Sequence, residues 1–275
     1  MPGSRAIGVF DSGVGGLTVA RAILDLVPRE PIVYVGDNAR FPYGPKPLEE
    51  IRAYALEIAE YLVSRQVKML VVACNSIEVA AIREVAEAAG VPVVGVIDPG
   101  ARAAVRVTRN HLVGLIGTQA TVASGAYERA VAATGADVRL SARACPAFVE
   151  HVERGDTSSD ELVAVAREYL LPLRDEGVDT LILGCTHYPM LSGLIQVVMG
   201  DEVVLVSSAE ETAKEVYATL FTLDLLRAET SDPRHEFLCT GDPEQFREVA
   251  QRFLGPEIGG IGTLAAHPVE GISWS

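Results

Sequence analysis

The sequence predicts an α/β fold: two similar open, mostly parallel α/β sandwich domains facing each other across a cleft. Three observations lead there. Short apolar runs of strand length alternate with longer amphipathic stretches almost throughout. A weak internal repeat divides the chain into comparable halves. Of the 275 residues, 49% are hydrophobic, enough to bury a substantial core.

Taken in order, the runs 6–10, 32–35, 69–72, 93–96, 113–116 and 180–183 read as buried parallel strands. Phe237-Leu238-Cys239 reads as a further strand. Between the second and third strands, Pro47 suits the first position of a helix. Leu48, Ile51, Tyr54, Ala55, Ile58, Tyr61 and Leu62 then recur at helical spacing as one apolar stripe. Strand–helix alternation of this kind calls for a sheet covered on both faces. A later helix begins near Ser208, a candidate cap with Glu210 and Glu211 in the first turn, and runs through Phe221.

The repeat sets Ile7-Gly8-Val9-Phe10-Asp11-Ser12 against Val113-Gly114-Leu115-Ile116-Gly117-Thr118. It also sets Leu70-Val71-Val72-Ala73-Cys74-Asn75 against Leu181-Ile182-Leu183-Gly184-Cys185-Thr186. Each half thereby places one cysteine at the carboxyl end of a strand, just before a helix. That edge is where open α/β sheets bind ligands. Two facing halves would bring two such edges to one cleft. A turn at Asp98-Pro99-Gly100 suits the first crossing between halves, and Ser207-Ser208 the second. Pattern alone does not say which half receives the tail from Ala209.

The bulk numbers exclude several classes. A formal charge of −14 argues against a broad nucleic-acid surface, which needs clustered Lys and Arg. The first ten residues lack the basic-then-apolar profile of a secretory signal, and no apolar run approaches a membrane span. A cytoplasmic location is the expectation. Four cysteines in a reducing compartment suggest no disulfide framework, and without Cys-x-x-Cys or paired histidines no metal site is expected.

Chemistry concentrates at a few positions. Cys74 follows a buried strand and precedes Asn75 and Ser76; at a helix start, peptide dipoles and free N–H groups favour its thiolate. The bland alternative is a small buried hydrophobe. Cys185 leads the polar group Cys185-Thr186-His187-Tyr188-Pro189, whose histidine can exchange protons near neutral pH. The alternative there is a capped helix start opened by Pro189. Cys145 and Cys239 read as core or loop residues. The loop from Asp11 to Gly16 could let backbone approach an anion, but Thr18 stands where a dinucleotide fingerprint needs glycine. Asp11 would repel a diphosphate, yet could attract an ammonium group or orient a nearby acid. The segment from Gly36 to Gly44, including Asp37, Tyr43 and Gly44, is a polar loop. Gly117-Thr118-Gln119-Ala120-Thr121 offers hydroxyls for a carboxylate or, equally, a helix cap. Lys46, Lys68 and Lys214 are the only lysines, and none is suited to a pyridoxal phosphate Schiff base. Amino-acid chemistry here would run without that cofactor.

These motifs together resemble the glutamate racemases. The resemblance is carried by 10–19, by Gly36-Asp37 with Ala39 to Gly44, by Ala73-Cys74-Asn75, by Ile116-Gly117-Thr118 with Ala120-Thr121, and by 184–189. It implies two α/β domains, 1–97 plus 209–275 and 98–208, enclosing the substrate. It further implies cofactor-independent interconversion of L- and D-glutamate, supplying D-glutamate for peptidoglycan. Cys74 and Cys185 would flank the α-carbon, assisted by Asp11 and His187, with Asp37 and Glu153 as more distant carboxylates. Substrate contacts would fall on Asp11, Ser12, Tyr43, Gly44, Asn75, Ser76, Thr186 and His187, with Thr118 and Thr121 behind them. The family usually has Thr at Ser76 and small residues at Ile77-Glu78; Glu78 would add negative charge near an anionic substrate unless it points away. His187 favours glutamate over aspartate, since aspartate racemases tend to carry Glu there. Two rivals stand beside this reading: a racemase of another acidic amino acid, and a non-catalytic amino-acid-binding regulatory protein. A homodimer is compatible with the sequence, which does not fix the oligomeric state.

Racemisation needs two groups on opposite faces of the α-carbon, one thiolate and one thiol. A free thiol near pKa 8.5 is mostly protonated at pH 7, so the surroundings must tune it. Donors in a water-poor cleft must also stabilise the carbanion.

Overall fold

The computed structural model describes residues 2–254; the part of the expected first domain at 255–275 lies outside them. The order is β1 (Ile7–Asp11), α1 (Leu17–Leu26), β2 (Ile32–Gly36), α2 (Leu48–Ser64), β3 (Met69–Val72), α3 (Asn75–Ala89), β4 (Val93–Val94) and α4 (Ile97–Val107). There follow β5 (Leu112–Gly117), α5 (Gln119–Ala123), α6 (Ala126–Ala133), β6 (Arg139–Ala144), α7 (Pro146–Glu153), α8 (Asp160–Asp175) and β7 (Thr180–Gly184). A 3-10 turn at Tyr188–Leu191 precedes α9 (Ser192–Met199), β8 (Val204–Ser207), α10 (Ser208–Thr222), β9 (Glu236–Cys239) and α11 (Pro243–Leu254).

The strands form two wholly parallel sheets among the described residues, ordered β4-β3-β1-β2-β9 and β6-β5-β7-β8. Setting β9 aside, the two orders superimpose strand for strand: β1 on β5, β2 on β6, β3 on β7 and β4 on β8. The repeat seen in the sequence is therefore a repeat of topology. In each sheet the first strand is flanked by the second on one side and the third on the other, so consecutive crossovers leave it in opposite directions. Such a switch point opens a crevice at the carboxyl ends of the central strands. Asp11 and Cys74 stand at one crevice, Thr118 and Cys185 at the other. The tail strand β9 pairs with β2, Val33 opposite Glu236 through Gly36 opposite Cys239, and so extends the first sheet.

Alternating residues of the sheets enter different layers. Phe10 and Val72 pack with Ile51, Ile58 and Leu62 of α2 and Ile77 and Val85 of α3 on one outer face. Ile116, Leu181 and Leu183 pack with Leu162 and Leu170 of α8 and Ile195 of α9 on the other. Between the sheets, Val9, Leu115 and Ile182 share one continuous core with Ala101 of α4 and Val216 of α10. Helices α4 and α10 thus serve both sheets at once. Each fully buried aliphatic side chain stabilises by roughly 1.5–3 kcal/mol.

The structure corrects three local expectations. Asp98-Pro99-Gly100 is not a turn but the first turn of α4, where proline's missing N–H costs nothing. Ser207, not Ser208, caps α10 by accepting the Ala209 N–H; Ser208 turns inward to Tyr127. The strand at 93–96 stops after Val94, and Val96 enters α4. The edge strand β6 carries no continuous apolar run, because an edge is buried on fewer sides than a central strand. Among the described residues no helix is long and apolar enough to cross a membrane.

Candidate active site

The four central strand ends deliver the chemistry. Cys74 is the N-cap of α3 in extended conformation, as its position before Asn75 suggests. Its thiol donates toward the Ser12 hydroxyl at 3.6 Å and meets the Ile77 N–H of the first helical turn. Cys185 leaves β7 directly, and its Sγ lies 3.8 Å from His187 Nδ1. Both sulfurs are buried and lie within electrostatic reach of each other. Asp11, wholly buried at the end of β1, accepts the Gly13 N–H at 3.0 Å and the Thr186 hydroxyl at 3.5 Å, and also hydrogen-bonds to Cys74. One carboxylate therefore touches the surroundings of both thiols.

Charge is distributed unequally between them. Burial, then the facing charge of Asp11, pushes the Cys74 thiol well above its ordinary value, and the Ile77 N–H offsets this only in part. The helix-start field expected to favour thiolate at Cys74 is outweighed. Asp11 is itself raised by burial, against the opposing pull of His187 and the Gly16 and Gly13 N–H groups. Burial alone would lower His187, but its hydrogen bonds to Cys185 and Glu153 carry it up to about 10. Glu153, at the end of α7, meets His187 Nε2 at 2.6 Å. An imidazolium therefore stands beside Cys185, and a buried carboxylate beside Cys74.

The halves meet tightly here. A Cβ at Gly15 would collide with Thr186 and His187, so this glycine admits the facing loop of the other half. Thr18 donates to the Gly15 carbonyl at 2.9 Å and lies 3.3 Å from that of Thr186. Phe41, from the β2–α2 loop, and Phe253, from α11, cover the His187 ring with centroids at 5.9 and 6.1 Å. Ser76 meets Thr118 at 3.0 Å, and Thr118 meets Thr121 at 3.0 Å while capping α5 through the Thr121 N–H. Gly44 comes up to the Thr118 side chain. The Asn75 side chain accepts from the Tyr127 hydroxyl at 2.8 Å, while its buried Nδ2 finds no partner among the described residues.

The profile of the Asp/Glu/Hydantoin racemase family matches residues 7–216, which hold every strand-end loop just described. The chain belongs to this family. A glutamate racemase of Acidothermus cellulolyticus is 58% identical over 259 residues, covering 94% of this chain and 98% of that protein. One from Mycobacterium tuberculosis is 57% identical over 263 residues, covering 95% and 96%. Among solved structures, a glutamate racemase from Francisella tularensis in complex with D-glutamate superimposes with a TM-score of 0.90 at 35% identity, covering 96% and 98%. An aspartate racemase homologue from Pyrococcus horikoshii, 19% identical with a TM-score of 0.56, shares the fold.

In this racemase-family chain, Asp11, Ser12, Cys74, Cys185, Thr186 and His187 come together as the sequence suggested. Thr118 and Thr121 join Ser76 just behind them. Asp37 is set farther back. It receives the Arg40 guanidinium at 2.6 Å, the Thr240 hydroxyl at 2.6 Å and the Tyr43 hydroxyl, and so fixes the loop that presents Tyr43 and Gly44. The Tyr43 hydroxyl is thus committed to Asp37. Glu153 is nearer the chemistry than expected, in direct contact with His187. Glu78 points away from the thiols, to the start of α4. Cys145 and Cys239 are buried and free. No group of three metal-binding side chains exists among the described residues. Sequence reading missed Tyr127, Phe41 and Phe253. Each meets a partner distant in sequence, so no local pattern marked it.

Proposed function

We propose that this chain is a glutamate racemase that interconverts L- and D-glutamate without a cofactor, by proton transfer between Cys74 and Cys185. The observation that supports it most is the pair of buried sulfurs on equivalent strand ends of two superimposable sheets, each beside its own acid–base group. Among the described residues the proposed lobes are 2–97 with 209–254, and 98–208. With substrate between them, one sulfur takes the α-proton and the other returns one from the opposite face. His187, held cationic, supplies the positive charge a thiolate at Cys185 needs. Cys74, beside Asp11, rests as the thiol and donates. After one turnover the sulfurs have exchanged protonation states, and either reaction in reverse or proton movement through Asp11 and His187 restores them.

Ser12, Asn75, Ser76 and Thr186 face the carbanion's carboxylate in this scheme. The unpartnered Asn75 amide is a ready donor, since a buried donor left unmade is costly and a bound carboxylate satisfies it. The water-poor closure by Phe41 and Phe253 strengthens these interactions. The enzyme is cytoplasmic, and its D-glutamate enters peptidoglycan. Assembly as a homodimer is tested by sedimentation.

Incubation of each glutamate enantiomer in heavy water without added cofactor tests the proposal. The expected result is solvent deuterium at the α-carbon from both enantiomers and convergence on a racemate, with aspartate turned over far more slowly. Binding without α-proton exchange would instead support an amino-acid-binding regulatory protein.

A further inference from the structure

Glu78 is a buried carboxylate that the proposed chemistry does not use. It lies one helical turn beyond Cys74, and its own N–H donates to the Cys74 carbonyl at 2.9 Å. Its Oε2 accepts the Val96 N–H at 2.5 Å and the Ile97 N–H at 3.0 Å. These are free amides at the start of α4, the helix by which the chain crosses from the first sheet to the second. The space is prepared for it: a Cβ at Gly95 would sit on the Glu78 carboxylate. The same helix α3 begins with Asn75, which Tyr127 of α6 holds from the other half. One carboxylate thus ties the peptide that presents Cys74 to the start of the crossing helix.

We propose that Glu78 is a positioning residue that pins α4 to the Cys74 end of α3, fixing the thiol geometry at a cost in stability. This deepens the racemase reading and rests on it. Charge-assisted hydrogen bonds are roughly twice as strong as neutral ones, so the ionised carboxylate holds α4 most firmly. The site also resists ionisation. Burial raises Glu78 to about 7, with the Val96 and Ile97 N–H groups lowering it and Asp98 of α4 raising it. Tyr127 on α6 is the other titratable group facing it; from α10, Ser208 and Thr212 present only neutral hydroxyls to Tyr127 and the Gly95 carbonyl. A carboxyl raised on folding contributes stability below its unfolded value, near 4.5, and loses it as pH rises through about 7. Firm geometry and greatest stability therefore lie on opposite sides of neutrality.

The experiment compares wild type, Glu78→Gln and Glu78→Ala between about pH 5.5 and 8.5, reading kcat, KM and Tm. Gln keeps the acceptor oxygen and removes the charge. The proposal expects wild-type kcat to rise with an inflection near 7, and Glu78→Gln to lack that inflection and remain several-fold slower at about pH 8. KM should stay within about twofold. Above neutrality Glu78→Gln should melt at a higher temperature than wild type, with the difference shrinking toward acid pH. Glu78→Ala should be slower still. A Glu78→Gln enzyme that matches wild type in kcat at about pH 8, or keeps the same pH profile, overturns the proposal even if Glu78→Ala fails to fold. Wild-type α-proton exchange, run first, tests the racemase reading separately.

Discussion

Replacing Glu153 with Gln should move the basic limb of the pH–rate profile while leaving neutral activity nearly intact. Glu153 meets His187 Nε2 at 2.6 Å, with the imidazole buried and the carboxylate side chain 25% exposed. A hydrogen bond to a charged group contributes roughly 1.5–3 kcal/mol, and solvent at Glu153 argues for the lower end. At about 1.4 kcal/mol per pKa unit, losing that charge lowers His187 by about one unit. Starting from about 10, the imidazole remains cationic at neutral pH in both proteins. The assay is kcat/KM for each enantiomer up to about pH 10. The sign on stability follows the same pair: a raised histidine stabilises the fold fully below 6.5 and loses that contribution as pH rises through about 10. Glu153→Gln should therefore lower Tm at neutral pH and converge on wild type in strong base. A basic limb that does not move would refute the coupling of Glu153 to Cys185 through His187.

Two further substitutions probe packing. Gly15→Ala places a methyl against Thr186 and His187, and overpacking of this kind costs about 1–3 kcal/mol; steady-state kinetics should show a much larger loss in kcat than thermal melts show in stability. Lys68 is buried in an ion pair with Glu30 and donates to the Gly3 and Leu225 carbonyls at 2.8 Å. Lys68→Met strands Glu30 and should cost about 3–5 kcal/mol in urea unfolding, with kcat per folded molecule unchanged because the cluster lies at the opposite end of β3 from Cys74.

The central strands were readable because residues buried on both faces must be continuously apolar, as in Met69–Val72 and Thr180–Gly184. Edge strands escape that requirement: Arg139–Ala144 interleaves Arg, Ser and Ala, and nothing in its pattern marks a strand. The cysteines were legible because a strand end followed by polar residues is a local signal. The family resemblance offered Glu153 only as a more distant carboxylate, and its direct contact with His187 was not legible, since 34 residues separate the partners. Glu78 was the converse case. Its type was visible and its direction was not, because the room it occupies is made by Gly95, a neighbour only in space.

The most direct measurement follows α-proton exchange and inversion separately in Cys74→Ser and Cys185→Ser, for both glutamate enantiomers in heavy water. With one sulfur left, proton removal survives from one face but its return across the carbon does not. Each variant should lose racemisation by roughly 10²–10⁴-fold while still exchanging deuterium preferentially into one enantiomer, opposite for the two variants. Near-normal racemisation in both directions by either variant would contradict the opposed-thiol mechanism.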